Sequence, residues 1–204
     1  MSSIPERWIL LAAFAVLLIA AWYSTGFQSA DEHYQVIAFA EAERGHQAVG
    51  SLPWEHAAQI RSALLPAICM AVFSAAHSIG VEDPFHLTFL LRLLTALMAF
   101  GTVLFFVRAV RPTVRPELHH AFVLLSFFLW FLPFLHVRFT GETWSGLFLL
   151  LAMAPLLSGG AARWKYVQCG LALGLAFISR PPVLAAGIGI VAWLVMVQHA
   201  KARH

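Results

Sequence analysis

Seven apolar runs, separated by one long polar segment over 28–61 and otherwise by short ones, set the pattern of this chain: Trp8–Phe27, Ser62–Ile79, Phe85–Val107, Ala121–His136, Trp144–Leu157, Tyr166–Ile178 and Val183–Val197. A membrane-spanning helix needs about 20 apolar residues. Trp8–Phe27 meets that length, with Glu6 and Arg7 before it and Trp22 and Tyr23, residues favoured at a membrane interface, towards its end. A signal peptide is the alternative for this segment, with the small residues of "QSA" after it as a cleavage site; the length of the run favours a span. Gly80, Pro84, Pro112, Pro116, Gly159-Gly160 and Pro181-Pro182 mark the turns.

Positive charge decides how many runs cross. Cytoplasmic loops carry the excess of Lys and Arg. With a cytoplasmic N-terminus and seven crossings, Arg108, Arg111, Arg115, Arg163, Lys165, Lys201 and Arg203 would all lie outside. If Ser62–Ile79 instead lies along the outer face, all seven move to the cytoplasm and join Arg7. The acids Asp31, Glu32, Glu41, Glu43, Glu55, Glu82, Asp83 and Glu142 then fall outside. Pro66, Ser74, His77 and Ser78 also suit an interfacial helix. The expected fold is an all-α integral membrane protein with about six transmembrane helices and amphipathic juxtamembrane helices in a long first outer loop. Its single membrane domain spans 1–204: a first helix over 1–27, an outer loop with the acidic site over 28–83, and five further helices over 84–204.

Composition agrees with a membrane. The chain is 60% hydrophobic and 11% charged, with mean hydropathy +0.78, whereas soluble domains carry about 25% charged residues. A net charge of +3 is too small to suggest nucleic acid as a partner. Cys69 and Cys169 sit in apolar runs and read as small core residues, and no zinc spacing, P-loop or GxGxxG occurs.

The outer loop holds the candidate chemistry. In "DEHYQVIAFAEAERG", Val36, Phe39 and Ala40 share one helical face and Asp31 and Gln35 share another. Ser29 as N-cap with acids in the first turn would serve a helix start equally well. Further on, "LPWEHAAQIRSALLP" adds Trp54, Glu55 and Arg61, the last two on either side of a helical turn or two. Trp54 also reads as an interfacial anchor.

Asp31-Glu32, Gln35, Glu41, Leu52, Trp54-Glu55, Ile60-Arg61-Ser62 and Pro66 together resemble the first outer loop of the GT-C glycosyltransferases. More narrowly they resemble the polyprenyl-phosphomannose-dependent mannosyltransferases of GPI-anchor and N-glycan precursor assembly, whose pattern is H-P-D-E…Q…E, T-W-E-W, R-S…P. Downstream, Arg138 matches the Arg of an R-T-x-S-N motif and Arg180-Pro181-Pro182 resembles R-P-T. Ser29-Ala30 stands in place of His-Pro and His56 in place of the second Trp; Phe139, Gly141 and Glu142 also depart from the pattern. The resemblance implies transfer of a sugar, mannose in the first instance, from a polyprenyl-phosphate donor to a hydroxyl of a glycan or glycolipid acceptor. It places the site on the outer or lumenal side of a multi-pass protein of a bacterial inner membrane, or of the endoplasmic reticulum in a eukaryote. It implies no cofactor and no metal, although Glu142 sits where some GT-C oligosaccharyltransferases place a metal-binding carboxylate. Family members carry further helices, so the resemblance covers their N-terminal part and implies a fragment, a short relative, or a chain whose missing helices come from a partner subunit.

Such a transfer needs a base for the attacking hydroxyl, for which the resemblance selects Asp31, with Glu32 positioning the acceptor. It needs a cation for the departing phosphate, and Arg61, Arg138 and Arg180 lie at the outer boundary, where headgroup snorkelling is the competing role. It needs a groove for the lipid tail, for which Phe127, Phe128, Trp130, Phe131 and Phe134 are candidates. Tyr166–Ile178 is only thirteen residues, about 20 Å, too short to span about 30 Å of hydrocarbon, so Arg180 is expected below the headgroup level and in need of an anionic partner. The rival readings are a non-catalytic subunit on the same scaffold and a small-molecule transporter. Transporters place polar groups at mid-membrane, and Arg92 is the one clear charge inside a run.

Overall fold

The computed structural model describes residues 5–26, 30–158 and 163–201, with side chains as far as 196. Ser29, Gly159-Gly160 and Arg203, and the side chain of Lys201, lie outside the described residues. Among those described there is no strand, and helices follow one another throughout: α1 (Glu6–Tyr23), a π-wound turn (Glu32–Ile37) leading into α2 (Ala38–Glu43), α3 (Trp54–Ala57), α4 (Leu64–Ser78), α5 (Pro84–Val110), α6 (His119–Phe128), α7 (Leu132–Leu135), α8 (Gly141–Leu157), α9 (Trp164–Ser179) and α10 (Leu184–Lys201).

Helix α1 buries Ile9, Ala13, Leu17 and Ala21, a stripe with a period of four that seats it on α5. It is thereby part of the packed fold. The two helices run antiparallel: Arg111 pairs with Glu6 at 3.2 Å at one end, and Arg92 donates to the Ala21 carbonyl at 3.3 Å and to that of Ser24 at the other. Those carbonyls lie in the last turn of α1 and at the residue that caps it, where no intrahelical donor reaches them. Arg92 fills that need and also donates to Thr88 Oγ1 at 2.8 Å. The anomalous charge inside an apolar run is therefore a helix cap.

Helices α8 and α9 form a second antiparallel pair. Arg180 meets Glu142 at one end, and Lys165 donates to Ser158 at 2.9 Å at the other. The buried Trp144 indole N–H donates to Thr95 Oγ1 at 3.2 Å and pins α8 to α5. These contacts define two ends. One carries Glu6, Arg111, Ser158 and Lys165; the other carries α2, α3, α4, Arg180 and Glu142.

Two helices, Glu6–Tyr23 and Pro84–Thr113, are long and apolar enough to cross a membrane by length and composition, and Leu64–Ser78, Gly141–Leu157 and Pro181–Met196 are shorter apolar helices. The fold corrects the expected boundaries in two places. The run Ala121–His136 is not one helix: it breaks after Phe128, Leu129 turns extended (ψ 127), and a new turn starts at Leu132. Pro133 is the cause, since it lacks an N–H and its ring would strike the Leu129 carbonyl in a continuous helix. Helix α9 is sixteen residues rather than thirteen, about 24 Å, which weakens the length argument for sinking Arg180. Helix α4 has fifteen residues with Leu65, Cys69, Phe73 and Ala76 buried on one face against α2 and α5. Burial pushes the Cys69 thiol up to about 12, so it is an inert core residue.

Candidate active site

The acidic segment enters as a helix whose second turn is wound wide: the Ala38 N–H bonds back five residues to the His33 carbonyl. Such π turns are rare and recur at functional sites. Here Glu32 and Val36 point inward, with Glu32 only 6% exposed, and Asp31 and Gln35 are half-buried beside them. Val36, Phe39 and Ala40 are all buried, the face expected from their spacing. Glu41 closes the far end of α2 by engaging Arg44, with His46 Nδ1 at 3.0 Å from its other oxygen.

The chain then turns back on itself. After the single turn of α3, Gln59 takes a left-handed φ of 52°, and Arg61 Nη2 returns to within 3.5 Å of Glu55 Oε1. A helical turn or two between Glu55 and Arg61 was the expectation; a reversal brings them together instead. Gln35 Nε2 donates to the same Glu55 oxygen at 3.4 Å, which ties α3 to the acidic segment.

Two further walls come from far along the chain. Thr140 caps α8 by accepting from the Thr143 N–H at 3.2 Å, which presents Gly141 and Glu142 at the helix start. Gly141 has no Cβ for a reason: one built there would lie 3.1 Å from the Ser179 carbonyl. This close approach lets Arg180, at the end of α9, reach Glu142. Asp31, Glu32, Gln35, Arg61, Glu142 and Arg180 thus line one cavity of about 220 Å³, with Thr140, Ser179 and Pro181-Pro182 among its other walls.

Behind the cavity lies a buried ion pair. Arg138, 3% exposed, has Nη1 3.9 Å from Glu32 Oε2, donates to the Gly26 carbonyl at 2.9 Å and lies over the Phe134 ring at 4.4 Å. Its buried Nε has no hydrogen-bond partner among the described residues. Glu32 also borders a second cavity of about 200 Å³, together with His33, Thr88 and Arg92. The carboxylate therefore stands between two polar spaces, held from behind by a guanidinium.

Of the nine candidate site residues, six line the cavity. Glu55 stands one step back, holding Gln35 and Arg61, and Arg138 sits behind Glu32 rather than on the cavity wall. Trp54 is 70% exposed and lines none of these spaces. The aromatic groove does not form as expected. Phe127 is buried among Val103, Val107 and Val123, Trp130 points outward, and Phe134 lies under Arg138. A cavity of about 400 Å³ opens instead between Leu132, Leu135, His136, Gly146, Leu147 and Leu150, adjoining the polar cavity at Thr140 and Glu142. Pro133, which breaks the helix, and Gly146, which leaves room, were the only sequence signals for it. Glu142 engages Arg180, and among the described residues no three His, Cys, Asp or Glu side chains are grouped as metal ligands would be.

No curated protein and no solved structure matches the chain. The Alg9-like mannosyltransferase family model matches residues 8–204, a stretch that includes all four walls of the cavity. With nearly its whole length matched and the GT-C resemblance of the outer loop in agreement, the chain belongs to the Alg9-like mannosyltransferase family.

Proposed function

We propose that the cavity transfers a mannosyl group from a polyprenyl-phosphate donor to a hydroxyl of a glycan or glycolipid. The observation that carries this reading is the meeting of Asp31, Gln35, Arg61, Glu142 and Arg180, from four separate stretches of chain, around one cavity. In the step itself the acceptor oxygen bonds to the anomeric carbon of the donor, the bond from that carbon to the phosphate oxygen breaks, and Asp31 takes the hydroxyl proton. Glu32, fixed by Arg138, orients the acceptor. Arg61 and Arg180 stabilise the leaving phosphate, for which a guanidinium offers two parallel N–H donors. The lipid tail leaves through the apolar space between α7 and α8, which meets the polar cavity at Thr140 and Glu142.

Donor binding tests this. Arg180 is 38% exposed and held by Glu142, so it is oriented yet within reach of a ligand. Arg180→Ala is expected to weaken binding of a polyprenyl monophosphate in nanodiscs by about tenfold, the equivalent of about 1.4 kcal/mol. Arg180→Lys is expected to recover only part of it, because the two-pronged grip is lost. Unchanged affinity in Arg180→Ala would leave this arginine as a partner of Glu142 alone.

The same reading sets six crossings, with the cavity on the outer or lumenal side. Exposed aromatic residues support the embedding: Trp8, Trp164 and Tyr166 ring one end and Trp22, Tyr23 and Phe85 the other, as interfacial belts do. Single cysteines at Thr113 and Gln47, in a chain with Cys69 and Cys169 replaced by Ala, should label from opposite sides of sealed cells. Labelling of Thr113→Cys from outside would refute this orientation.

A further inference from the structure

Beneath the reversal at Gln59 lies a third cavity, of about 410 Å³, with one polar and one apolar side, to which the transfer step assigns no role. It adjoins the catalytic cavity at Arg61, Ser62 and Pro66, which border both. Glu43, Glu55, His56 and Gln59 make its polar side, and Phe39, Ala67 and Met70 contribute to its apolar side. His56 is held in place twice over: Nε2 lies 3.6 Å from Glu43 Oε1, and the ring stands edge-on to Phe39 at 4.9 Å. Gln59 keeps a left-handed backbone that is uncommon for a residue with a side chain, and such strain concentrates at ligand sites.

The charge of this space selects its ligand. It contains two carboxylates, Glu43 and Glu55, against one guanidinium, Arg61, which already faces Glu55. An anionic phosphate is disfavoured there. A neutral polyhydroxylated ligand is not, because each hydroxyl both donates and accepts, and the carboxylates, imidazole, amide and Ser62 hydroxyl supply both kinds of partner. The apolar side suits the C–H face of a sugar ring. We infer that this cavity holds the saccharide of the acceptor, seated so that its reacting hydroxyl passes Arg61 and Ser62 towards Asp31. The assignment rests on the glycosyl-transfer reading for the choice of a sugar, and on lining and charge for its place.

Saturation-transfer NMR on the full chain in nanodiscs tests it, with mannobiose as the sugar probe and a polyprenyl monophosphate as the phosphate probe. Met70→Trp, which fills the apolar side, is expected to weaken mannobiose by about tenfold or more, and His56→Ala by about threefold, an effect the size of one hydrogen bond. Polyprenyl phosphate binding should stay unchanged in both variants, which also reports a folded chain. If Met70→Trp loses both probes, His56→Ala alone decides the matter. No mannobiose binding by the unaltered chain, undiminished binding in His56→Ala, or loss of both probes in that variant overturns the assignment. Failure of the transfer reading appears elsewhere, as no mannosyl transfer by the unaltered chain or absent polyprenyl phosphate binding, and leaves the mannobiose result standing.

Discussion

Asp31→Asn abolishes mannosyl transfer while polyprenyl phosphate binding and the fold persist: this is the expected result with the largest effect on activity. Asn keeps the shape and the hydrogen-bonding reach of Asp but cannot take the acceptor's proton, and loss of a general base costs about 10²–10⁴-fold. Within the proposed mechanism, position assigns the base role to Asp31. It is half-buried on the cavity wall, whereas Glu32 is sunk to 6% exposure and faces Arg138. Single-turnover transfer to a glycan acceptor is the measurement. Near-full turnover in Asp31→Asn would shift the role to Glu32.

Arg138→Met should produce the largest loss of stability. Its side chain and that of Glu32 are 4% and 8% exposed, and removing one partner of a buried ion pair costs about 3–5 kcal/mol. The Gly26 carbonyl would lose its donor and Phe134 its cation at the same time. Thermal unfolding in detergent reads the effect. Adding Glu32→Gln should restore much of the stability, because the carboxylate that lost Arg138 is then neutral, but not the activity. Arg61→Ala serves as the contrast, since its pair with Glu55 has 41% of the Arg side chain exposed, and such pairs contribute about 0–1 kcal/mol. A loss in Arg138→Met no larger than in Arg61→Ala would mean that the Glu32–Arg138 pair holds nothing in place.

Much of the candidate site was legible because its residues are close in sequence or fall on helical spacing. Asp31 and Gln35 are one turn apart, and the Val36, Phe39, Ala40 face announces which side of that helix is inward. The first outer loop carried the family pattern in order, over about thirty-five residues. Less legible were the residues whose role depends on contacts across the chain. Trp54 belongs to the same pattern, yet α3 leaves it facing outward. Arg92 read as a stray charge until the end of α1 was set beside it. The aromatic stretch 127–134 read as one groove-lining helix, and Pro133 divides it so that its rings face three directions.

The sequence by itself determined that this chain is helical and apolar, that it turns near Gly80, Pro84, Pro112, Pro116 and Pro181-Pro182, and which segment is acidic. These follow from local rules: periodicity, proline and glycine geometry, and the cost of placing charge in an apolar surrounding. Only the tertiary structure decided that Arg61 turns back to Glu55, that Arg138 stands behind Glu32, and that Arg180 meets Glu142 across the α8–α9 contact. Those pairs are separated by 6, 106 and 38 residues, and a charged side chain has several possible partners of opposite sign. Which one it meets is set by helix packing, here by a left-handed Gln59 and by a Gly141 small enough to let two backbones touch.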